Sequence, residues 1–153
     1  MSTSPMTKRV GIVGMGLMGQ AFIANLHKAQ FSVQGYDPDP VRMDQLRDQG
    51  GEAVAMPADV ARGVDCVIAS LPTADISREV LLGAGGIVEG AAEGLYVCDT
   101  TTSRPEISEQ TFSDLADKGI RYLDSAISGT SAMAHERDTI VIAGGREEDF
   151  EAC

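Results

Sequence analysis

Gly14, Gly16 and Gly19 close a short apolar run, Val10–Gly14, and open a segment with helical spacing, Leu17–Ala29. Glycines in this G-x-G-x-x-G pattern, set between a strand and a helix, are suited to bringing backbone N–H groups against a phosphate. Gly14 permits the tight turn, Gly16 lets the backbone approach a pyrophosphate, and Gly19 lets helix and strand pack closely. An acidic residue follows about 20 positions on, Asp37, at the end of a second predicted strand, Ser32–Tyr36. A carboxylate there accepts hydrogen bonds from both hydroxyls of an adenosine ribose and repels a 2′-phosphate. The next basic side chain is Arg42, and Asp39 adds a further negative charge, so NAD is favoured over NADP. Two alternatives use the same residues. Arg42 can swing from the next helix to hold a phosphate, and Asp37 or Asp39 can cap that helix.

The elements that must position these residues alternate in type. Strands are predicted at Val10–Gly14, Ser32–Tyr36, Asp65–Leu71, Leu95–Asp99, Ile120–Asp124 and Thr139–Ala143. Helices are predicted at Leu17–Ala29, Val41–Gln49, near Pro57–Arg62, at Ala74–Leu82 and at Pro105–Lys118. The last has proline in its first turn and Gly119 just past its end. Strands alternating with helices imply an α/β fold, a Rossmann-type doubly wound, mostly parallel sheet with helices on both faces. Residues 1–7 read as an N-terminal tail without the apolar stretch of a signal peptide, 8–145 as the dinucleotide-binding domain, and 146–153 as the start of a helix cut short.

The chain has 153 residues, enough for one domain, and 43% are hydrophobic, which supports a real core. A formal net charge of -11 repels phosphate backbones, so nucleic acid and anionic membranes are poor partners. No apolar run is long enough to span a bilayer. Cys66, Cys98 and Cys153 show no metal-ligand spacing, so no metal site is expected. Cys66 and Cys98 sit in apolar runs as buried thiols, and a reducing cytoplasm is the natural compartment.

Several stretches narrow the field. "GIVGMGLMGQAFIANLHKA" resembles the opening of the β-hydroxyacid dehydrogenases, the family of 3-hydroxyisobutyrate dehydrogenase and tartronate semialdehyde reductase, related to 6-phosphogluconate dehydrogenase; Met18, Asn25, Leu26 and Lys28 match beyond the glycines. "SLPTADISREVLLGAGGIVEG", "CDTTTSRPEISEQ" and "YLDSAISGTSAMA" are similar to later family stretches, all in register. The resemblance implies that Gly14, Met15, Gly16, Leu17, Met18 and Gly19 hold the pyrophosphate and Asp37 the adenosine ribose. It implies that Leu71 and Pro72 line the nicotinamide side, with Thr101 and Thr102 at the nicotinamide ribose. Ser128, Gly129 and Thr130 would bind a substrate carboxylate. Each position also has a local alternative: a strand end at Leu71-Pro72, caps at Thr101 and Thr102, a turn at Ser128-Gly129.

Two positions depart from the family pattern. Thr130 stands where a second glycine is usual, which narrows or alters the substrate loop. Arg137 stands where another glycine is usual, and a positive φ there costs energy. The family's general acid/base is a lysine from a following helical domain, beyond Cys153. No catalytic residue is therefore expected within these residues: Lys8, Lys28 and Lys118 sit at the wrong ends of their elements, and neither His27 nor His135 is a convincing base. The expected function is the cofactor-binding part of an oxidoreductase acting on a small β-hydroxyacid, catalytically incomplete as this chain. The alternatives are a non-catalytic NAD-binding module and a piece of an NADP-dependent imine reductase. Surface left open without a helical domain would favour association, including homo-oligomers.

Overall fold

The computed structural model describes residues 8–153, so the expected tail at 1–7 lies outside the described residues. The chain order is β1 (Arg9–Val13), α1 (Leu17–Lys28), β2 (Ser32–Tyr36), α2 (Pro40–Asp48), β3 (Glu52–Ala53), α3 (Pro57–Val60), β4 (Cys66–Ala69), α4 (Ala74–Leu82), α5 (Ile87–Gly90), β5 (Tyr96–Asp99), α6 (Pro105–Ala116), β6 (Arg121–Ser128), α7 (Ser131–His135), β7 (Ile140–Gly144) and α8 (Glu147–Ala152). Helix starts follow local chemistry. Proline occupies the first turn of α2, α3 and α6, where its missing N–H has no intrahelical partner to lose. The Thr73 hydroxyl accepts from the Ile76 N–H at 3.2 Å and caps α4. The cap of α2 is Asp39, which accepts from Val41 N–H at 2.9 Å, and this leaves Asp37 for other contacts.

The seven strands form one sheet in the order β3-β2-β1-β4-β5-β6-β7. All pairs are parallel except β6 with β7, which is antiparallel. This is the doubly wound arrangement, and its direction of growth reverses between β1 and β4. Alternate residues of β1 feed opposite faces. Ile12 joins Met15, Ile23, Val33 and Leu46 on one side, while Val13 joins Val60, Leu81, Ile87, Val97 and Leu115 on the other.

The structure adds three short elements that periodicity missed: β3, α5 and α7. It also carries β6 four residues beyond the expected end at Asp124, because residues 125–128 find partners on β7. On that strand Ile140, Val141 and Ile142 are more than half exposed.

Beyond the cofactor edge, a buried carboxylate, Asp99, lies at the end of β5. Its oxygens accept from the Ser77 hydroxyl at 2.6 Å, the Tyr122 hydroxyl at 3.2 Å and the Thr101 N–H at 3.0 Å. Burial, together with the negative charge of Asp99, pushes the Tyr122 phenol well above its ordinary value. A group whose folded pKa is raised stabilises the fold fully below its unfolded pKa, and that stability is lost as pH rises above about 10. We therefore expect urea-unfolding stability to fall as pH is raised past about 10. Tyr122→Phe should remove the tyrosine's share of that loss and cost about 1 kcal/mol at neutral pH. An unchanged alkaline limb in Tyr122→Phe would count against this role.

Candidate functional site

The point where the sheet changes direction opens a cleft of about 630 Å³ beyond the carboxyl ends of β1, β2 and β4. Gly14, Gly16, Leu17, Met18, Asp37, Leu71 and Pro72 all line it, as the sequence predicts for a nucleotide site. Met15 lies fully buried beneath the turn, and Gly19 packs its backbone against Gly14.

The three glycines are required for different reasons. Gly14 has φ +84, and a Cβ there would sit 2.1 Å from the Ser70 carbonyl oxygen. A Cβ on Gly19 would sit 2.3 Å from the Gly14 carbonyl oxygen. Both positions are fixed by the fold. Gly16 differs: its φ is -67, and a Cβ there would meet nothing nearer than the Arg42 guanidinium at 3.9 Å. The protein itself leaves room at Gly16, which is the space a bound phosphate group needs. Gly16 is also the N-cap of α1, and it offers no side chain to the first-turn amides. Those N–H groups and the positive end of the helix dipole are left to face the cleft.

Asp37 is almost fully buried, yet its carboxylate reaches the cleft wall. Its Oδ2 accepts from the Met15 N–H at 2.7 Å and from the Arg42 guanidinium at 3.2 Å, and its Oδ1 accepts from the Asp39 N–H at 2.9 Å. A carboxylate offers about four acceptor positions, so Oδ1 retains capacity for a ribose hydroxyl. Arg42 lies where the alternative sequence reading put it, reaching back from the next helix. It stands one turn into α2 and folds back to pair with both Asp37 and Asp39, so a guanidinium lies on the wall where a 2′-phosphate would come. Its spacing from the capping Asp39, i to i+3, is the signal that could have placed it there.

The remaining predicted residues are dispersed along the same sheet edge. Thr101 is buried, and its hydroxyl accepts from the Leu71 N–H at 3.1 Å, so it joins the loop after β4 to the loop after β5. Thr102 is exposed beside it. Neither threonine lines the cleft. Ser128 ends β6 and Gly129 and Thr130 follow it; all three are exposed. Gly129 needs its glycine, with φ +144 and a virtual Cβ 2.7 Å from the Thr139 methyl. Thr130 sits in extended backbone and caps α7, its hydroxyl accepting from the Met133 N–H at 3.2 Å. Arg137 does adopt the unfavourable positive φ, +61. Asn25 had a family match but no assigned role. It donates to the Ala134 carbonyl at 2.7 Å and so ties α1 to α7. None of Lys8, Lys28, Lys118, His27 or His135 lines the cleft.

Residues 9–153 match the family model described as the NAD binding domain of 6-phosphogluconate dehydrogenase. The chain is 32% identical over 144 residues to the mitochondrial 3-hydroxyisobutyrate dehydrogenase of Homo sapiens, covering 94% of this chain and 43% of the relative. It is 30% identical over 142 residues to the 3-sulfolactaldehyde reductase of Escherichia coli (strain K12), covering 93% and 48%. The crystal structure of a 3-hydroxyisobutyrate dehydrogenase from Salmonella typhimurium superposes with a TM-score of 0.87 at 27% identity, covering 94% of this chain and 50% of that one. The chain thus spans about half the length of the relatives it matches.

The two kinds of glycine can be separated by experiment. Gly14→Ala should cost at least about 2 kcal/mol in chemical denaturation, since it combines a positive φ with a backbone clash. Gly16→Ala should change stability by no more than about 1 kcal/mol yet weaken dinucleotide binding about tenfold or more. Equal affinity in Gly16→Ala and the parent would remove the phosphate role from Gly16. In the neighbouring loop, Arg137→Gly should stabilise the protein by up to about 1 kcal/mol, as it relieves the left-handed strain. A loss of stability in that variant would show that the Arg137 side chain outweighs its backbone.

Proposed function

The chain belongs to the family of the NAD-binding domain of 6-phosphogluconate dehydrogenase, and from that premise we propose that it is the cofactor-holding part of an oxidoreductase that moves a hydride between a nicotinamide dinucleotide and a small β-hydroxyacid. The observation that carries this is the room left above Gly16 at the uncapped start of α1, in a cleft walled by Asp37 on one side and Leu71-Pro72 on the other. The amides of the turn and of α1 bind the pyrophosphate. Asp37 accepts from the adenosine ribose through Oδ1, and Leu71 and Pro72 present an apolar wall to the nicotinamide. The bound dinucleotide supplies the hydride acceptor or donor. Ser128 and Gly129 offer a hydroxyl and backbone N–H groups for the substrate carboxylate. Thr101 supports that side of the site by fixing the loop that carries Leu71.

The proton on the reacting hydroxyl is assigned to a residue outside these 153, because the three lysines lie away from the cleft. The relatives' names, a hydroxyacid dehydrogenase and an aldehyde reductase, support this reaction class. The apolar face at Ile140, Val141 and Ile142 supports association with further protein, a second copy included. Three unpaired cysteines suit a reducing compartment such as the cytoplasm. No described helix is long and apolar enough to cross a membrane.

NAD is the proposed cofactor, with Arg42 as the residue that admits some NADP. Fluorescence titration should show NADH binding more tightly than NADPH. Arg42→Ala should weaken NADPH by about tenfold and NADH by much less. A natively melting protein that binds neither nucleotide would overturn the reading, and equal losses for both would remove the 2′-phosphate role from Arg42.

A further inference from the structure

A second constellation lies on the sheet face under α1, apart from the nucleotide cleft. Cys66 on β4 and Cys98 on β5 share that face, two residues out of direct register, since Cys98 pairs with Ile68. Their Sγ atoms stand 3.9 Å apart, far beyond the disulfide bond length of about 2.05 Å. Cys153, just past α8, returns to the same place, and the three Sγ atoms all lie within 4.8 Å of one another. The sequence separations of the cysteines show no metal-ligand pattern, yet the fold brings the three sulfurs together.

We propose that Cys66, Cys98 and Cys153 form a three-thiolate site for a thiophilic d10 cation of the zinc class, with its fourth coordination position open to solvent or a small ligand. Three sulfurs bound about 2.3 Å from one zinc ion stand about 3.8–4.0 Å apart. The observed triangle reaches that size with shifts under about 1 Å. Soft sulfur donors without oxygen or nitrogen partners select zinc, cadmium or copper(I) over magnesium or calcium. The sulfurs border a cavity of about 530 Å³ walled by Phe22, Leu26, Phe31 and Phe150, which limits competition from water. Cys153 is exposed, so a cation can enter from its side.

A metal ion binds cysteine as thiolate, so each thiol that coordinates gives up its proton: M²⁺ with three thiols yields a tris-thiolate complex of charge -1 and three released protons. A bound ion would join β4, β5 and the end of α8, so it should staple the last helix to the sheet.

The test uses the reduced full chain under anaerobic conditions, titrated with Cd²⁺ and Zn²⁺. The expected result is an ultraviolet sulfur-to-metal charge-transfer band that saturates at one Cd²⁺ per chain. Protons should be released as the thiols coordinate the ion, and Zn²⁺ should raise the melting temperature. Cys153→Ser, at an exposed position, should fold normally, bind NADH as before, and lose about 100-fold or more in metal affinity. Cys98→Ser should lose it as well. No saturating band, or a Cys153→Ser protein that still binds one ion with parental affinity, would overturn the site.

Discussion

A buried carboxylate that accepts a hydrogen bond from the glycine turn fixes the geometry of the whole cofactor edge. Asp37 sits at the end of β2, but its shortest bond goes to the Met15 N–H in the turn after β1. A buried charge without partners costs several kcal/mol, so the arrangement persists only because three donors converge on this carboxylate. Those donors come from the turn, from the approach to α2 and from α2 itself. One side chain thereby sets the height of the phosphate-binding amides and the start of α2, and it holds Arg42 in place. The acidic residue of this sequence pattern is commonly read for its contact with ribose. Here it first shapes the turn and then presents what acceptor capacity remains.

The long elements and the glycine turn were legible in the sequence because each carries a repeated local signal. The predicted helix Ala74–Leu82 matches α4 at both ends, and the predicted strand Ser32–Tyr36 matches β2. The two-residue β3, the four-residue α5 and the five-residue α7 cover little more than one period, too short for a repeat to show. β6 ran past its predicted end because its continuation depends on pairing with β7, a partner chosen by tertiary structure.

Within the site, local chemistry was easier to read than distance. Seven of the named residues do meet around one cleft. The threonines were harder. Thr101 carries the right group, but burial commits its hydroxyl to the Leu71 N–H. Arg42, which the sequence offered as able to swing in from the next helix, is brought by the start of α2 over Asp37. The cysteine triangle was invisible in the sequence. Register between β4 and β5, followed by the return of α8, decides those distances, and neither is written in the spacing of the cysteines.

The two positions that depart from the family resemblance around α7 have opposite physical outcomes. Thr130 is unstrained, because the backbone there is extended, and its hydroxyl caps the short helix that follows. That cap stabilises α7 locally. Arg137, at the other end of α7, keeps a glycine-like conformation without being glycine, at a cost of about 1–2 kcal/mol. The loop persists because α7 is anchored elsewhere: Ala134 is buried, and its carbonyl accepts from Asn25 on α1. Through that bond α1, which begins at the glycine turn, also holds α7 and the positive-φ turn at Arg137 that follows it.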